Sequence, residues 1–413
     1  MTAVQTAGER RVATSFHGWL LVATCWLSST GAVLIAPVLP LMRREFSATP
    51  HAELLTVIAL VVPGLMIALF SPAVGAIVDR VGRKRLYLLA ISLYAVAGIL
   101  PWWLTNLYAI VASRVFIGLA EAAISTIATA LVANYFSGLE RQKWLTMQHA
   151  SASVIAVAMF SIGGVLGSLS AGWRTPFLVY GCAIIFLPLI AKFIWEPTVA
   201  QRASSPVPAR LPFPWRATGP LSAFVLFASV MFFVVPVQIS FLMTARGVSA
   251  PAIIGLGGAI ANAGIPLGSF IFHKFARWPI NRLLVVAFAL LATGFFTIAQ
   301  LPSVYATVTG AFIAGIGSGM ALPLLGTWLI SRLPFEQSGR GTGCYMGAFF
   351  LGNFLSPLLV ALLAYRGGGL IPAIGQFGAA CAGVAVLVLA LALVKRGAVF
   401  SVHAAQADRA PLA

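Results

Sequence analysis

The sequence predicts an all-α membrane protein of twelve transmembrane helices arranged as two pseudo-symmetric six-helix bundles. Three observations predict it: a composition too apolar for water, twelve apolar runs of spanning length, and a weak internal repeat either side of a polar linker. Of the 413 residues, 60% are hydrophobic and 8% are charged. Soluble domains carry roughly 25% charged residues. A water-soluble fold of this length would leave excess apolar surface exposed, whereas a bilayer solvates it.

A spanning helix needs about 20 mostly apolar residues. Charged and Pro/Gly-rich breaks divide the chain into runs at 18–40, 53–77, 86–104, 107–133, 145–169, 175–195, 219–243, 251–275, 282–301, 304–331, 341–365 and 370–394. The stretch from Trp19 to Leu41 exceeds the ~7–15 apolar residues of a secretory signal, and no A-x-A pattern closely follows it. It therefore reads as a retained first span. Arg43 and Arg44 close span 1, and a basic cluster from Arg80 to Arg85 separates spans 2 and 3. Arg141 and Lys143 lie between spans 4 and 5, and Arg174 between 5 and 6. Arg246 follows span 7, while Lys274, Arg277 and Arg282 lie between 8 and 9. Arg332 and Arg340 precede span 11, and the Arg366–Gly369 turn alone parts spans 11 and 12.

The formal charge is +17, from 26 Lys and Arg against 9 Asp and Glu. In a soluble chain such an excess suggests nucleic acid. Its distribution points elsewhere. With both termini in the cytoplasm, the inner segments hold twenty basic residues and the outer segments five: Arg43, Arg44, Arg174, Arg246 and Arg366. Arg114 lies within a span. This bias follows the positive-inside rule. It predicts a multi-pass protein of the cell membrane, in a bacterium the inner membrane, with anionic lipid as a partner and no nucleic acid. Cys25, Cys182, Cys344 and Cys381 lie in apolar runs without metal spacing and read as small buried hydrophobes. No metal and no cofactor is expected.

The longest internal polar segment, 196–218, is rich in Pro and Ser and reads as a cytoplasmic linker. It divides the chain into an N-terminal bundle, 1–195, and a C-terminal bundle, 219–413. The halves echo each other. Gly75-Ala-Ile-Val-Asp79-Arg80-Val-Gly82-Arg83 corresponds to Ser269-Phe-Ile-Phe-His273-Lys274-Phe-Ala276-Arg277 at an offset of 194. Tyr108-Ala109 corresponds to Tyr305-Ala306, and Gly118-Leu-Ala-Glu121-Ala122 to Gly315-Ile-Gly-Ser318-Gly319 at an offset of 197. Repeats of this kind place a binding site between the halves, near mid-membrane, and permit alternating access by rocking.

The segment Gly75-Ala-Ile-Val-Asp79-Arg80-Val-Gly82-Arg83-Lys84-Arg85 is the sharpest motif. Its glycines permit a tight turn and close helix approach, and its Asp sits among cations with which to pair. It resembles the G-x-x-x-D-R-x-G-R-K/R signature of the major facilitator superfamily at every defining position. Span count, linker and repeat extend the resemblance over essentially the whole chain. The resemblance implies that Gly75, Asp79, Arg80, Gly82 and Arg83 form a conformational latch. Asp79 and Arg80 would engage Gly341, Thr342 or nearby groups at the start of span 11.

Span 4 carries Arg114-Val-Phe-Ile-Gly118-Leu-Ala-Glu121. Arg followed by Gly four residues on resembles the family's span-4 motif. Charged side chains within a span are costly and are functional candidates by default. Seven residues place Arg114 and Glu121 on one helix face, about 10 Å apart along the axis. Both can face an aqueous cavity, bridge through substrate or water, or form a structural ion pair. The equivalent positions in the second half are Ala311 and Ser318, so the repeat itself does not require the charges.

The Gly-x-x-Glu-Ala stretch is similar to organic-anion and spinster-type branches of the superfamily. Span 7, with Pro236-Val-Gln238, and span 11, with Arg340-Gly341 and Gly352-Asn353, resemble the drug:proton antiporter group. Two features depart from that group. Its G-P-x-x-G-G element in span 5 is reduced here to Gly163-Gly164, and span 1 has no acid, only Ser28, Ser29 and Thr30. Further cavity candidates are Gln238, Asn262, Trp328, Tyr345 and Asn353; intramembrane amides also serve as interhelical ties. His149 near the inner end of span 5 is either titrating or interfacial. Gly315, Gly317 and Gly319 read as close packing or a hinge.

Of the nine acids, Glu9, Glu45, Glu53, Asp79, Glu121, Glu140, Glu196, Glu336 and Asp408, only Glu121 is deep in the membrane. A lone acid argues against paired-carboxylate chemistry, and no zincin, nucleophile-elbow or nucleotide motif occurs. The expected function is a monomeric secondary active transporter of a small organic or amphipathic solute, proton-coupled through Glu121. The alternatives are an organic-anion uniporter or exchanger anchored by Arg114, and a non-transporting membrane sensor.

Overall fold

The computed structural model describes residues 13–196, 214–333 and 337–394, and no strand occurs among them. The linker expected at 196–218 falls mostly outside the described residues.

Helix α1 (Ser15–Ile35) starts at Thr14, whose backbone N–H donates to His17 Nδ1 at 3.1 Å. A 3-10 turn, Ala36–Val38, leads into α2 (Leu39–Glu45), and the axis bends by 48° between Ser15–Ser28 and Val33–Glu45. The break falls at residues 29–32, and Pro37 lies beyond it in the second arm, where it offers no N–H to the preceding turn. The pair α1–α2 forms span 1.

Helices α3 (Ala52–Val81) and α4 (Arg83–Ile99) are spans 2 and 3, parted by Gly82 alone at φ +95°. That left-handed conformation is one a residue with a Cβ rarely adopts, so the signature's second glycine is what makes the one-residue turn possible. Helix α5 (Leu107–Tyr135) is span 4, begun by Asn106, whose side chain accepts from the Tyr108 N–H at 2.8 Å. Helix α6 (Gly138–Gly167) is span 5. Span 6 is a 3-10 segment, Gly172–Ile185, containing Pro176, followed by α7 (Phe186–Phe193).

The second group comprises α8 (Trp215–Ala245), α9 (Pro251–Lys274), α10 (Ile280–Gln300), α11 (Val304–Ser331), α12 (Ser338–Gly367) and α13 (Leu370–Val394). Among the described residues, eleven helices are individually long and apolar enough to span a bilayer, and the bent α1–α2 pair, taken as one span, brings the number to twelve. Several helices outrun their apolar runs. The α6 helix begins at Gly138 rather than near 145, because Glu140, Arg141 and Lys143 are good helix formers that carry its first turns beyond the apolar layer. Hydropathy marks the membrane edge, not the helix end.

Helices α1 and α3–α6 pack with span 6, and α8–α13 pack with one another; α6 meets α9 and α12 meets α3 across the groups. Glycines set the closest approaches. In the second group a Cβ on Gly315 or Gly319 would run into the α9 backbone at Ala261 or Ile265, and one on Gly317 into α10 at Ala287. The span-10 glycine series is therefore close packing on two opposite faces. Across the groups, a Cβ on Gly164 would meet Pro251 and Gly255, and one on Gly258 would meet the Phe160 ring. The Ala252 N–H donates to Ser168 Oγ at 3.1 Å at the same end. At the opposite end, which bears the Gly82 turn, a Cβ on Gly75, Gly343 or Gly347 would meet no described atom within 4 Å. The two groups thus meet closely at the Gly167–Pro251 end, while among the described atoms these three glycines have no such contact at the Gly82 end.

The cysteines correct one expectation. Only Cys381 is buried; Cys25 and Cys344 are half-buried and Cys182 is exposed, beside exposed Ile184 and Ile185. An apolar run in a membrane protein has a lipid-facing side, so apolar context does not imply burial.

Candidate functional site

Helix α5 turns one face outward, where Tyr108 and Phe116 are about half exposed, and places Arg114, Glu121, Ser125 and Thr129 on the other side at 100° per residue. Along that inner face Arg114 and Glu121 are buried, Ser125 is half-buried and Thr129 is exposed. Exposure along that face therefore grows from Glu121 toward the Gly82 end.

Arg114 is fully enclosed. Its Nε donates to the Ala59 carbonyl of α3 at 3.2 Å, Nη2 to the Gly31 carbonyl of α1 at 3.2 Å, and Nη1 to Tyr180 Oη at 2.8 Å. Tyr180 itself donates to the Gly31 carbonyl, and the guanidinium carbon lies 5.1 Å from its ring centroid. The guanidinium thus ties spans 1, 2 and 6 to span 4, all within the first group.

Glu121 is 2% exposed, and its Oε1 has no hydrogen-bond partner. Neither ion pair found among the described residues, Arg43–Glu53 or Arg174–Glu45, includes it. The side chain rests on α1, where a Cβ at Gly31 would overlap Oε1. The Glu121 backbone carbonyl accepts from Ser125 Oγ at 2.8 Å and Ser28 Oγ at 3.3 Å. So the structure brings Arg114 and Glu121 to one face, as their spacing predicts, but joins them through Gly31 and Tyr180 rather than as a contact ion pair.

The other candidates lie elsewhere. Asn262 is buried and donates to the Gly258 carbonyl of its own helix at 2.7 Å. Asn353 is largely buried at the α3–α12 crossing, where its amide lies against Gly64. Gln238 is buried on α8, and Trp328 is half-buried on α11. Tyr345 donates to the Leu322 carbonyl at 3.2 Å and stacks near Phe349, with centroids 6.4 Å apart. Phe349 in turn lies 5.0 Å from Phe233 and 5.7 Å from Phe232, an α8–α12 aromatic wall that no charge or motif had marked. These residues belong to the second group, whereas Arg114 and Glu121 belong to the first; Asn353 reaches across to Gly64 of α3.

Of the latch residues, Gly82 makes the α3–α4 turn, and a Cβ on Gly75 would meet no described atom within 4 Å. The side chains of Asp79, Arg80 and His149 lie outside the described residues; Gly341 is buried and Thr342 exposed. Glu196, read from sequence only as a linker acid, accepts from the Arg83 N–H at 2.8 Å and the Lys84 N–H at 3.0 Å. It caps the α4 N-terminus, where backbone N–H groups are otherwise unpaired and the helix dipole favours an anion. Its partners are main-chain groups over a hundred residues away, so no local pattern reveals them. Tyr180 and Gly31 were missed for a similar reason: each sits in an apolar run with no charge to mark it. Among the described residues, no three His, Cys, Asp or Glu are grouped as metal ligands.

The Major Facilitator Superfamily profile matches residues 21–357. The chain is 23% identical over 348 residues to the tetracycline resistance protein, class B, of Escherichia coli, spanning 82% of this chain and 86% of that one. It is 25% identical to the multidrug efflux protein YfmO of Bacillus subtilis over 87% of this chain and 91% of that one. It is 26% identical to the bacillibactin exporter of Bacillus subtilis, with coverages of 81% and 86%. In fold it is similar to a D-xylose-proton symporter, with a TM-score of 0.73, 16% identity and coverages of 91% and 97%. It is also similar to a bacterial homologue of the lysosomal transporter Spinster, with a TM-score of 0.69, 18% identity and 95% of each chain covered.

Proposed function

The chain belongs to the Major Facilitator Superfamily, and from that premise we propose that it exports a small organic or amphipathic solute in exchange for protons carried by Glu121. A membrane transporter of small solutes, rather than an enzyme, is the coarser statement on which this reading builds. The observation that carries the finer one is the Glu121 carboxyl. It is buried within span 4, on a face whose exposure grows toward the Gly82 end, and its Oε1 has no partner. Its helix neighbour Arg114 is already engaged by Gly31, Ala59 and Tyr180. A buried acid held for structure alone would be hydrogen-bonded or paired. An acid left without a partner inside a span is the group placed to take up and release a proton.

Export is supported by the relatives, whose names are those of resistance, efflux and exporter proteins. Arg114 as an anion anchor is the weaker reading, because the guanidinium is enclosed in this conformation and its donors are in use. We also propose that both termini and the Gly82 turn lie on the cytoplasmic side, in accord with the basic residues gathered there.

The test has two stages. A thermal-shift screen of tetracyclines, cationic dyes and metal-chelating metabolites finds compounds that raise the melting temperature. Transport of the best binder is then followed in proteoliposomes under an imposed pH gradient. Gradient-driven movement in the wild type, lost in Glu121→Gln, supports the reading. Equal movement with and without the gradient overturns it.

A further inference from the structure

Glu121 presses on α1 where that helix bends and where it has no side chain to offer. We propose that Gly31 is the positioning residue of the transport cycle: its missing side chain is the seat of the Glu121 carboxyl, and bending of α1 about this point opens or closes that seat. This rests on the reading of Glu121 as the proton carrier.

Four observations meet at this residue. The axis of span 1 bends by 48° between Ser28 and Val33, so Gly31 lies inside the bend. Gly31 is buried, and an added Cβ would overlap Glu121 Oε1 while lying 3.7 Å from Tyr180 Cε1. The Gly31 carbonyl is held by both Arg114 and Tyr180. Oε1 itself receives no hydrogen bond.

Residue 31 is therefore pinned through its carbonyl to spans 4 and 6, while the two arms of span 1 meet at 48° on either side of it. A carboxyl oxygen shut away from water without a donor is costly, and movement of either arm changes how much of that cost remains. The group on span 4 and the bend in span 1 thus respond to each other through one contact. The titratable groups that interact with Glu121 are Arg114 on its own helix and Tyr180 on span 6. Among the described residues α1, α3, α4 and α6 bring no charged group to it.

The contact is with the far end of a flexible side chain, not with backbone. Gly31→Ala accordingly displaces the carboxyl without requiring α1 and α5 to part. Glu121→Asp, shorter by one methylene, makes room for the added methyl.

The experiment measures gradient-driven transport of tetracycline, or of the best binder from the screen, in proteoliposomes between pH 5.5 and 8.5. Gly31→Ala is expected to lower the rate at least tenfold and to displace its pH profile. Gly31→Ala with Glu121→Asp is expected to be faster than Gly31→Ala alone. A wild-type rate and pH profile in Gly31→Ala, or a double variant slower than the single, overturns the proposal. Glu121→Gln is the control on the underlying reading. If it transports like wild type, that reading fails; if it is inactive while Gly31→Ala is normal, the seat alone fails. Should Gly31→Ala not fold, Glu121→Ala is added. Recovery of a folded, monodisperse protein shows the two side chains competing for one space, and continued misfolding overturns the proposal.

Discussion

Tyr180 is the residue on which the site's geometry turns. Its hydroxyl accepts from Arg114 and donates to Gly31, so one group holds a cation and a helix bend together. Tyr180→Phe keeps the ring and removes both bonds. The expected loss is about 1–3 kcal/mol, since a buried carbonyl and a guanidinium N–H each lose a partner. Thermal unfolding in detergent measures it, and an unchanged midpoint would mean that water replaces the hydroxyl. Arg114→Lys keeps the charge but not the planar fork that reaches three acceptors at once. It should destabilise the protein nearly as much as Arg114→Ala, by roughly 3 kcal/mol.

Charge explains what could be read at this scale. Arg114 and Glu121 stand out because a charged residue in a span is rare. Tyr180 and Gly31 do not, because a tyrosine and a glycine in an apolar run are ordinary, and their role exists only once spans 1, 4 and 6 are side by side. The exposure of Cys182 was misread for a related reason, since hydropathy does not distinguish lipid from protein as the apolar neighbour.

At the scale of helices, close approach is governed by glycine. Gly268 and Gly319 let the α9 and α11 backbones touch, and a Cβ on either would enter the partner's main chain. Backbone cannot yield as a side chain can, so Gly319→Val should cost about 1–3 kcal/mol through overpacking, read as a lower melting temperature. Gly164 lies instead between the two groups, against Gly255. Gly164→Val should leave each group folded and force apart the Gly167–Pro251 end. Maleimide labelling of a cysteine placed at Ser168 reports this: faster labelling than in the Gly164 parent is expected, and an unchanged rate would show that this contact does not hold the end together. The Gly163-Gly164 pair was visible in the sequence as the remnant of a motif. That one glycine faces Leu34 of α1 and the next faces α9 was not, because the direction of each depends on packing. Glu196 was similarly illegible, as its partners are the main-chain N–H groups of Arg83 and Lys84.

For the whole molecule, span number, all-helical architecture and family follow from apolar runs, the repeat and the Gly75–Arg85 signature, which local residue types encode directly. Boundaries shifted because charged helix formers such as Glu140 and Lys143 extend α6 past the apolar layer. The division of labour between halves was less legible. Arg114 and Glu121 sit with span 1 and span 6, whereas Gln238, Tyr345, Asn353 and the α8–α12 aromatic wall belong to the second group. That separation suits a carrier in which one half handles the proton and the other supports the solute, with rocking as the link.

The central claim is that Glu121 carries the coupled proton. Its most direct measurement is substrate-evoked proton flux, read by a pH-sensitive dye trapped in proteoliposomes without an imposed gradient. A solute gradient across vesicles holding the wild-type protein should drive a counter-flow of protons, and Glu121→Gln, folded and still binding solute, should produce none. Proton flux in Glu121→Gln equal to that of the wild type would contradict the account.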